Sequence, residues 1–253
     1  MTNVTMIKIF LLLRLGIYDK KGVMTLTGFK KHWHSHRVTK CLLGCGFFGS
    51  TMFVFVFLID GITRAGYDPI YHPVSALSLG NRGWIQITNF MITGILTIAF
   101  ALGMRRSLNP GSGAKWGPLL LGLFGISLVF SGVFVMDPMQ GYPPGAPTGV
   151  FTEGVSWHHY AHDVFGILVF TSLPITCFVL ARRFLKSEGR IGWTLYSIFT
   201  GTVMLVLFMF FGTLWENDSQ FAGLIQRIML ITGFAWISLV AAFLYRKCKK
   251  VYV

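Results

Sequence analysis

Six runs of mostly apolar residues, at roughly 41–60, 84–104, 116–136, 160–181, 191–213 and 221–245, are each long enough to cross a bilayer. A helix needs about 20 residues for that. A backbone in hydrocarbon must satisfy its own hydrogen bonds, and open segments of this length do so only as helices. The expected fold is therefore an all-α, polytopic membrane bundle of six transmembrane helices. Composition agrees: of 253 residues, 53% are hydrophobic, 12% are charged and 24 are Phe, with a mean hydropathy of +0.63, which is too apolar for an ordinary soluble domain.

A formal net charge of +13 does not point to nucleic acid, because the basic residues stand at the ends of apolar runs and not along one face of a soluble element. All Lys and Arg except Arg64, Arg82 and Arg227 precede the first run, link the second to the third or the fourth to the fifth, or follow the last. That bias puts both termini in the cytoplasm of what reads as a bacterial or archaeal cell membrane. The acidic residues are distributed the other way: only Asp19 and Glu188 lie at the basic end, while Asp60, Asp68, Asp137, Glu153, Asp163, Glu216 and Asp218 lie at the opposite one. No run carries an ionisable residue at its centre, which argues against a proton-coupled transporter.

The organisation expected is a basic segment over 1–40, one membrane domain over 41–245 and a basic tail over 246–253. The opening run is interrupted by Lys8 and Arg14 and lacks a cleavage site, unlike a signal peptide, and Met24 is an alternative start. The His32, Trp33, His34, Ser35, His36 cluster reads as an interfacial collar in preference to a metal tract. Cys41, Cys45, Cys177 and Cys248 form no disulfide framework. Cys41 and Cys45, with Gly49, make a row of small residues suited to close helix packing. Pro174 is expected to kink the fourth helix, with Thr171 and Ser172 taking up part of the freed backbone.

The candidate chemistry gathers at the acidic end. The connections 61–83 and 137–157 are long for links between neighbouring helices, and loops of that length tend to be functional. His158 and His162 are four apart, so two imidazoles project from one helix face, and His72 or Asp137 could complete a zinc site with an open position for water. In that arrangement His72, His158 and His162 bind metal, Asp137 orients or activates the water, and Ser75 donates to a developing oxyanion. The competing reading has the histidines hydrogen-bonding neighbouring loops. His159 and Asp163 form a second pair at the same spacing, read as structural pairing, or as support for ligands if metal binds. Ser156 is the expected N-cap of the fourth helix.

Arg227 follows Phe221 by six residues inside an apolar run, roughly 9 Å along the helix at about 1.5 Å per residue. A cation there needs a carboxylate, backbone oxygens or a lipid phosphate. The alternatives are an ion pair with Asp60, Asp137 or Glu216, or a lipid or anion site shared with Arg82, which Gln226 and Trp215 could line.

The runs HPVSALSLGNRGWIQITNF (72–90), GVFVMDP (132–138), HHYAHD (158–163) and QRIMLITGFAWI (226–237) together resemble the membrane family catalogued as domain of unknown function 998, over about residues 41–245. The resemblance implies a multi-spanning membrane protein and brings no established catalytic residue. A fainter likeness of site is to the zinc-dependent membrane hydrolases that include alkaline ceramidases and adiponectin receptors. His72, Ser75, Asp137, His158 and His162 reproduce their residue types and chain order. Those proteins have seven spans and carry the paired histidines on the last helix, and here His72 precedes Pro73. Two function classes stay open: a bundle that binds a lipid or a partner membrane protein through its polar end, or a metal-dependent hydrolase or transferase acting on a lipid or lipid-linked substrate.

Overall fold

A computed structural model describes residues 26–108, 110–151 and 153–249. The expectations placed on Met24 and on the side chains of His32, Trp33 and His34 lie outside what it describes. Six long helices follow one another: α1 Leu26–Thr63, α2 Gly83–Leu108, α3 Trp116–Val133, α4 Trp157–Glu188, α5 Ile191–Glu216 and α6 Ala222–Lys249. A short 3-10 turn, Val74–Ser78, lies between α1 and α2. Each helix is long and apolar enough to cross a membrane. The described residues hold no strand, only an isolated bridge between Met139 and Tyr142. The described residues up to Cys41 belong to one compact unit, and the bundle from Leu42 onward belongs to a second.

In lipid, apolar side chains gain little by leaving their surroundings, so helices hold together through close packing and internal hydrogen bonds. Both are visible on α2. Gly94 lies against α3 so closely that a Cβ there would sit 2.5 Å from the Gly125 carbonyl oxygen. On its inward face Gln86, Asn89, Thr93 and Thr97 are all buried. Asn89 Nδ2 donates to the Phe53 carbonyl of α1 and to Gln86 Oε1, each at 3.2 Å. Around this polar row the rings of Phe53, Phe57, Phe100, Phe124, Phe234 and Trp236 are fully buried, with Phe53 and Phe234 4.4 Å apart between centroids. The Trp236 indole is buried because its N–H donates to Ser197 Oγ at 3.0 Å.

Consecutive helices from α2 to α6 pack on one another. α5 is the least embedded, with 22% of its apolar window buried against 50% in α2, α3 and α6. It therefore forms an edge of the bundle and not part of its centre. At the basic end the Glu188 carboxylate is buried among cations, 2.7 Å from Lys247 Nζ, 3.6 Å from Arg183 Nε and 3.7 Å from Arg190 Nε. This tie joins the end of α4 to α6.

Two local expectations need correction. The third apolar run was expected to stay helical to residue 136, but α3 ends at Val133 and Phe134 is extended. A helix through Pro138 would press its ring on the Phe134 carbonyl, four residues back. In α4, Thr171 Oγ donates to the Ile167 carbonyl at 2.7 Å and Ser172 Oγ has no partner among the described residues. Neither side chain serves the carbonyl of residue 170 that Pro174 leaves without a donor.

Close approach at Gly94 sets a test. Gly94→Val should lower the thermal stability of the detergent-purified protein by about 1–3 kcal/mol through overpacking. Gly212→Ala in α5, where an added Cβ meets nothing within 4 Å, should leave it unchanged or raise it by about 0.5–1 kcal/mol. Thermal unfolding of both variants measures the difference.

Candidate functional site

The two long connections, 64–82 and 134–156, fold together over one end of the bundle. Their anchor is α6. Gly223 N–H donates to the Tyr71 carbonyl at 3.1 Å and Leu224 N–H to the Ile70 carbonyl at 2.8 Å. A Cβ at Gly223 would lie 2.3 Å from the His72 carbonyl oxygen, so only glycine permits this approach. One turn on, Arg227 Nη1 donates to the His72 and Gly223 carbonyls at 2.8 and 3.0 Å, and Nη2 donates to the Tyr67 hydroxyl. Its guanidinium also lies over the Tyr67 ring, 5.4 Å from the centroid. Tyr67 passes the contact on by donating to the Pro73 carbonyl at 2.9 Å. Burial pushes the Tyr67 hydroxyl up to about 12 against the opposing pull of Arg227, so it stays protonated and keeps its role as donor.

A second buried cation is neutralised directly. Arg64 pairs with Asp60, and Arg82 Nη2 lies 2.7 Å from the other Asp60 oxygen. Arg64 also donates to the Leu79 and Arg82 carbonyls, each at 2.9 Å, and to the Tyr142 hydroxyl at 3.1 Å. These bonds clamp the first connection onto the second. Further out, Tyr71 donates to Asp218 Oδ1 at 2.6 Å and Gln140 Nε2 donates to the same oxygen at 3.1 Å. Burial and that carboxylate together push the Tyr71 hydroxyl up to about 12.

The sequence-derived site residues fall into separate roles here. His72 is buried, its Nδ1 accepting from the Asp68 N–H at 2.8 Å and its Nε2–H donating to the Gln140 carbonyl at 3.0 Å. His158 is exposed beside Trp157 and Phe134, with its ring 3.7 Å from the Trp157 ring. His162 is buried, and its Nδ1–H donates to the Phe134 carbonyl at 2.8 Å, capping the chain where α3 stops. The expected triad of His72, His158 and His162 is therefore not assembled. Among the described residues, no three His, Cys, Asp or Glu side chains come together in a way that could hold a metal ion.

Asp137 works on the start of α4. Its oxygens accept from the Ser156 N–H at 2.6 Å and the Ser156 hydroxyl at 2.7 Å, and Ser156 Oγ in turn accepts from the His159 N–H at 3.3 Å as the N-cap. Desolvation pushes the Asp137 carboxyl up, but the two Ser156 bonds and the nearby His159 and His158 outweigh it and hold it below the usual carboxylate range. His159 Nδ1 accepts from the Asp137 N–H at 2.9 Å while Nε2 faces Asp163 Oδ2 at 3.4 Å, which is the structural pairing expected of that spacing. Arg227 turns to backbone oxygens and a tyrosine, not to Asp60, Asp137 or Glu216, and Arg82 turns to Asp60 and Thr63.

Beneath the capped end lies a cavity of about 360 Å³ between α3, α4, α5 and α6, with Phe90 of α2 also in its wall, roofed by Pro73, Val74 and Ser75. Phe170 on α4 and Phe208, Phe211 and Trp215 on α5 form aromatic walls. Its polar groups include Ser131, His162, Asp163, Glu216 and Gln226. Gln226 fixes the roof, its Oε1 accepting from the Val74 N–H at 2.7 Å. The cavity thus takes up Ser75, His159, His162 and Asp163 from the sequence-derived set, whereas His72, His158, Asp137, Arg82 and Arg227 do not line it. Sequence reasoning missed Tyr67, Tyr71, Gln140, Tyr142 and Asp218. The signals for them were the tyrosine and proline content of the two long connections and, for Asp218, its place among the acidic residues at this end.

Six apolar helices, a hydrogen-bonded cap and a cavity opening among the helices define a polytopic membrane protein with an internal cavity. The family model described as Protein of unknown function (DUF998) matches residues 47–242, and the chain belongs to that family. No curated protein and no solved structure matches it.

Two substitutions test the cap. Asp60→Asn strips the buried Arg64 of its charge partner and should destabilise the protein by about 3–5 kcal/mol, read as lost thermal stability in detergent. Asp137 ionises more readily folded than unfolded, so its contribution is present above about pH 4 and is lost as pH falls through its lower folded value. Asp137→Asn should therefore flatten the acid limb of the stability profile, and an unchanged limb would contradict the assignment.

Proposed function

We propose that the protein binds a lipid-like amphiphile in the cavity between α3, α4, α5 and α6, as a binder or passive carrier and not as a catalyst. The carrying observation is the cavity itself: about 360 Å³ of space with aromatic walls and polar groups including Asp163, Glu216 and Gln226. Small-molecule sites combine mostly apolar walls with a few placed polar groups in this way. Location adds support, since the cavity is bounded by the bundle's least embedded helix, next to the acyl chains from which such a ligand would come. In this reading both termini face the cytoplasm, as the distribution of Lys and Arg implies, and the capped end faces outward.

A metal-dependent hydrolase is the weaker reading. Ser75 and His162 do share the cavity, but both His72 ring nitrogens and both Asp137 oxygens are taken by hydrogen bonds within the protein.

Gly166 provides a direct test. It lines the cavity, and a Cβ added there meets nothing within 4 Å, so Gly166→Leu should fill the space without straining α4. Organic extraction and mass spectrometry of the purified protein should recover an amphiphile from wild type and at least about tenfold less from Gly166→Leu, a change worth about 1.4 kcal/mol of binding, with thermal stability unchanged. Equal recovery from both would overturn the reading. For orientation, a fluorescent protein fused after Val253 should fold and fluoresce, and alkaline phosphatase at the same position should be inactive. The opposite pattern would invert the topology.

A further inference from the structure

Charge around the cavity points in one direction. Asp163 and Glu216 both line it, and no Lys or Arg does. The arginines of the capped end are engaged elsewhere: Arg227 with the His72 and Gly223 carbonyls and Tyr67, Arg64 and Arg82 with Asp60. Glu216 is the last residue of α5, where the helix dipole already places partial negative charge and an added carboxylate is unfavourable. No basic residue occupies that last turn, and no ion pair with Glu216 occurs among the described residues. Asp163 faces the His159 imidazole at 3.4 Å, and 57% of its side chain is exposed.

Two further features favour a ligand at this position. Ser131 is 4% exposed and brings a hydroxyl to the cavity lining. A hydroxyl in a mostly apolar wall can pair with a ligand donor or acceptor. The Trp215 and Phe211 rings beside Glu216 offer π faces, which attract ammonium groups as well as packing against alkyl chains.

We propose that the amphiphile held in this cavity carries a positively charged ammonium headgroup, received by the Glu216 and Asp163 carboxylates with Trp215 alongside, while its alkyl chain lies between Phe170, Phe208 and Phe211. This rests on the cavity-binding reading above and deepens it by assigning the headgroup its charge. An anionic or phosphate-bearing headgroup would meet two carboxylates and no cation, so the site selects against it.

Native mass spectrometry of the detergent-purified protein with three probes of equal chain length, dodecylamine, dodecanol and dodecanoate, tests the assignment. Wild type should retain dodecylamine at concentrations at least about tenfold lower than either of the others. Glu216→Gln with Asp163→Asn, both at exposed positions, should bring dodecylamine to the level of dodecanol without lowering thermal stability. Gly166→Leu should abolish retention of all three. Equal retention of dodecylamine and dodecanol by wild type, sensitive to Gly166→Leu, would overturn the headgroup assignment and leave cavity binding standing. Retention indifferent to Gly166→Leu would overturn both.

Discussion

The carbonyls of four successive residues, Ile70 to Pro73, hold the capped end together. They accept from Leu224, Gly223, Arg227 and Tyr67 respectively. Backbone groups in a connection between membrane helices have few partners of their own, and leaving them bare at the edge of hydrocarbon is costly. The first turn of α6 supplies donors that no preceding helical carbonyl can use, and the loop carbonyls supply acceptors in return. Everything near the site follows from that match. Gly223 must be glycine because the two backbones touch, Arg227 can be buried because carbonyls surround it, and Val74 reaches Gln226 as the roof of the cavity.

The same match explains how the protein holds buried arginines at its capped end without an equal number of carboxylates. Asp60 serves both Arg64 and Arg82, whereas Arg227 relies on neutral oxygens and the Tyr67 ring. Carbonyl dipoles can stabilise a cation where an ion pair would need a second buried charge. With Arg64, Arg82 and Arg227 engaged in the cap, the carboxylates of Asp163 and Glu216 are left lining the cavity. The separation of charge between cap and cavity gives the cavity its acidic lining.

The six helices were legible in the chain because a run of about 20 apolar residues admits few other folds. Five of the observed helices depart from the expected spans by seven residues or fewer at either end, and α1 begins at Leu26 instead of near 41. The end of α3 differed because Pro138 acts on the carbonyl four residues before it. Pairings within one helix were also legible: the Ser156 cap and the His159–Asp163 pair depend on spacing alone. The site was less so. Spacing put His158 and His162 on one face, but spacing cannot say that Phe134 would draw His162 inward while His158 stays exposed. Arg227 read as a cation needing a partner, and backbone oxygens were among the partners considered, yet the carbonyls it uses carry no mark in the sequence. The cavity was invisible for a related reason, since Phe170, Phe208 and Phe211 look the same in a sequence whether they face lipid, core or ligand.

The most direct measurement of the central claim is an experimental density map of the protein in a lipid nanodisc, at a resolution that separates side chains from lipid. An occupied cavity, with an elongated density between Phe170, Phe208 and Phe211 and its thicker end beside Glu216, is the result this account requires. A cavity closed by collapse of α5 onto α4, with those rings packed against one another and no room left between them, would contradict it.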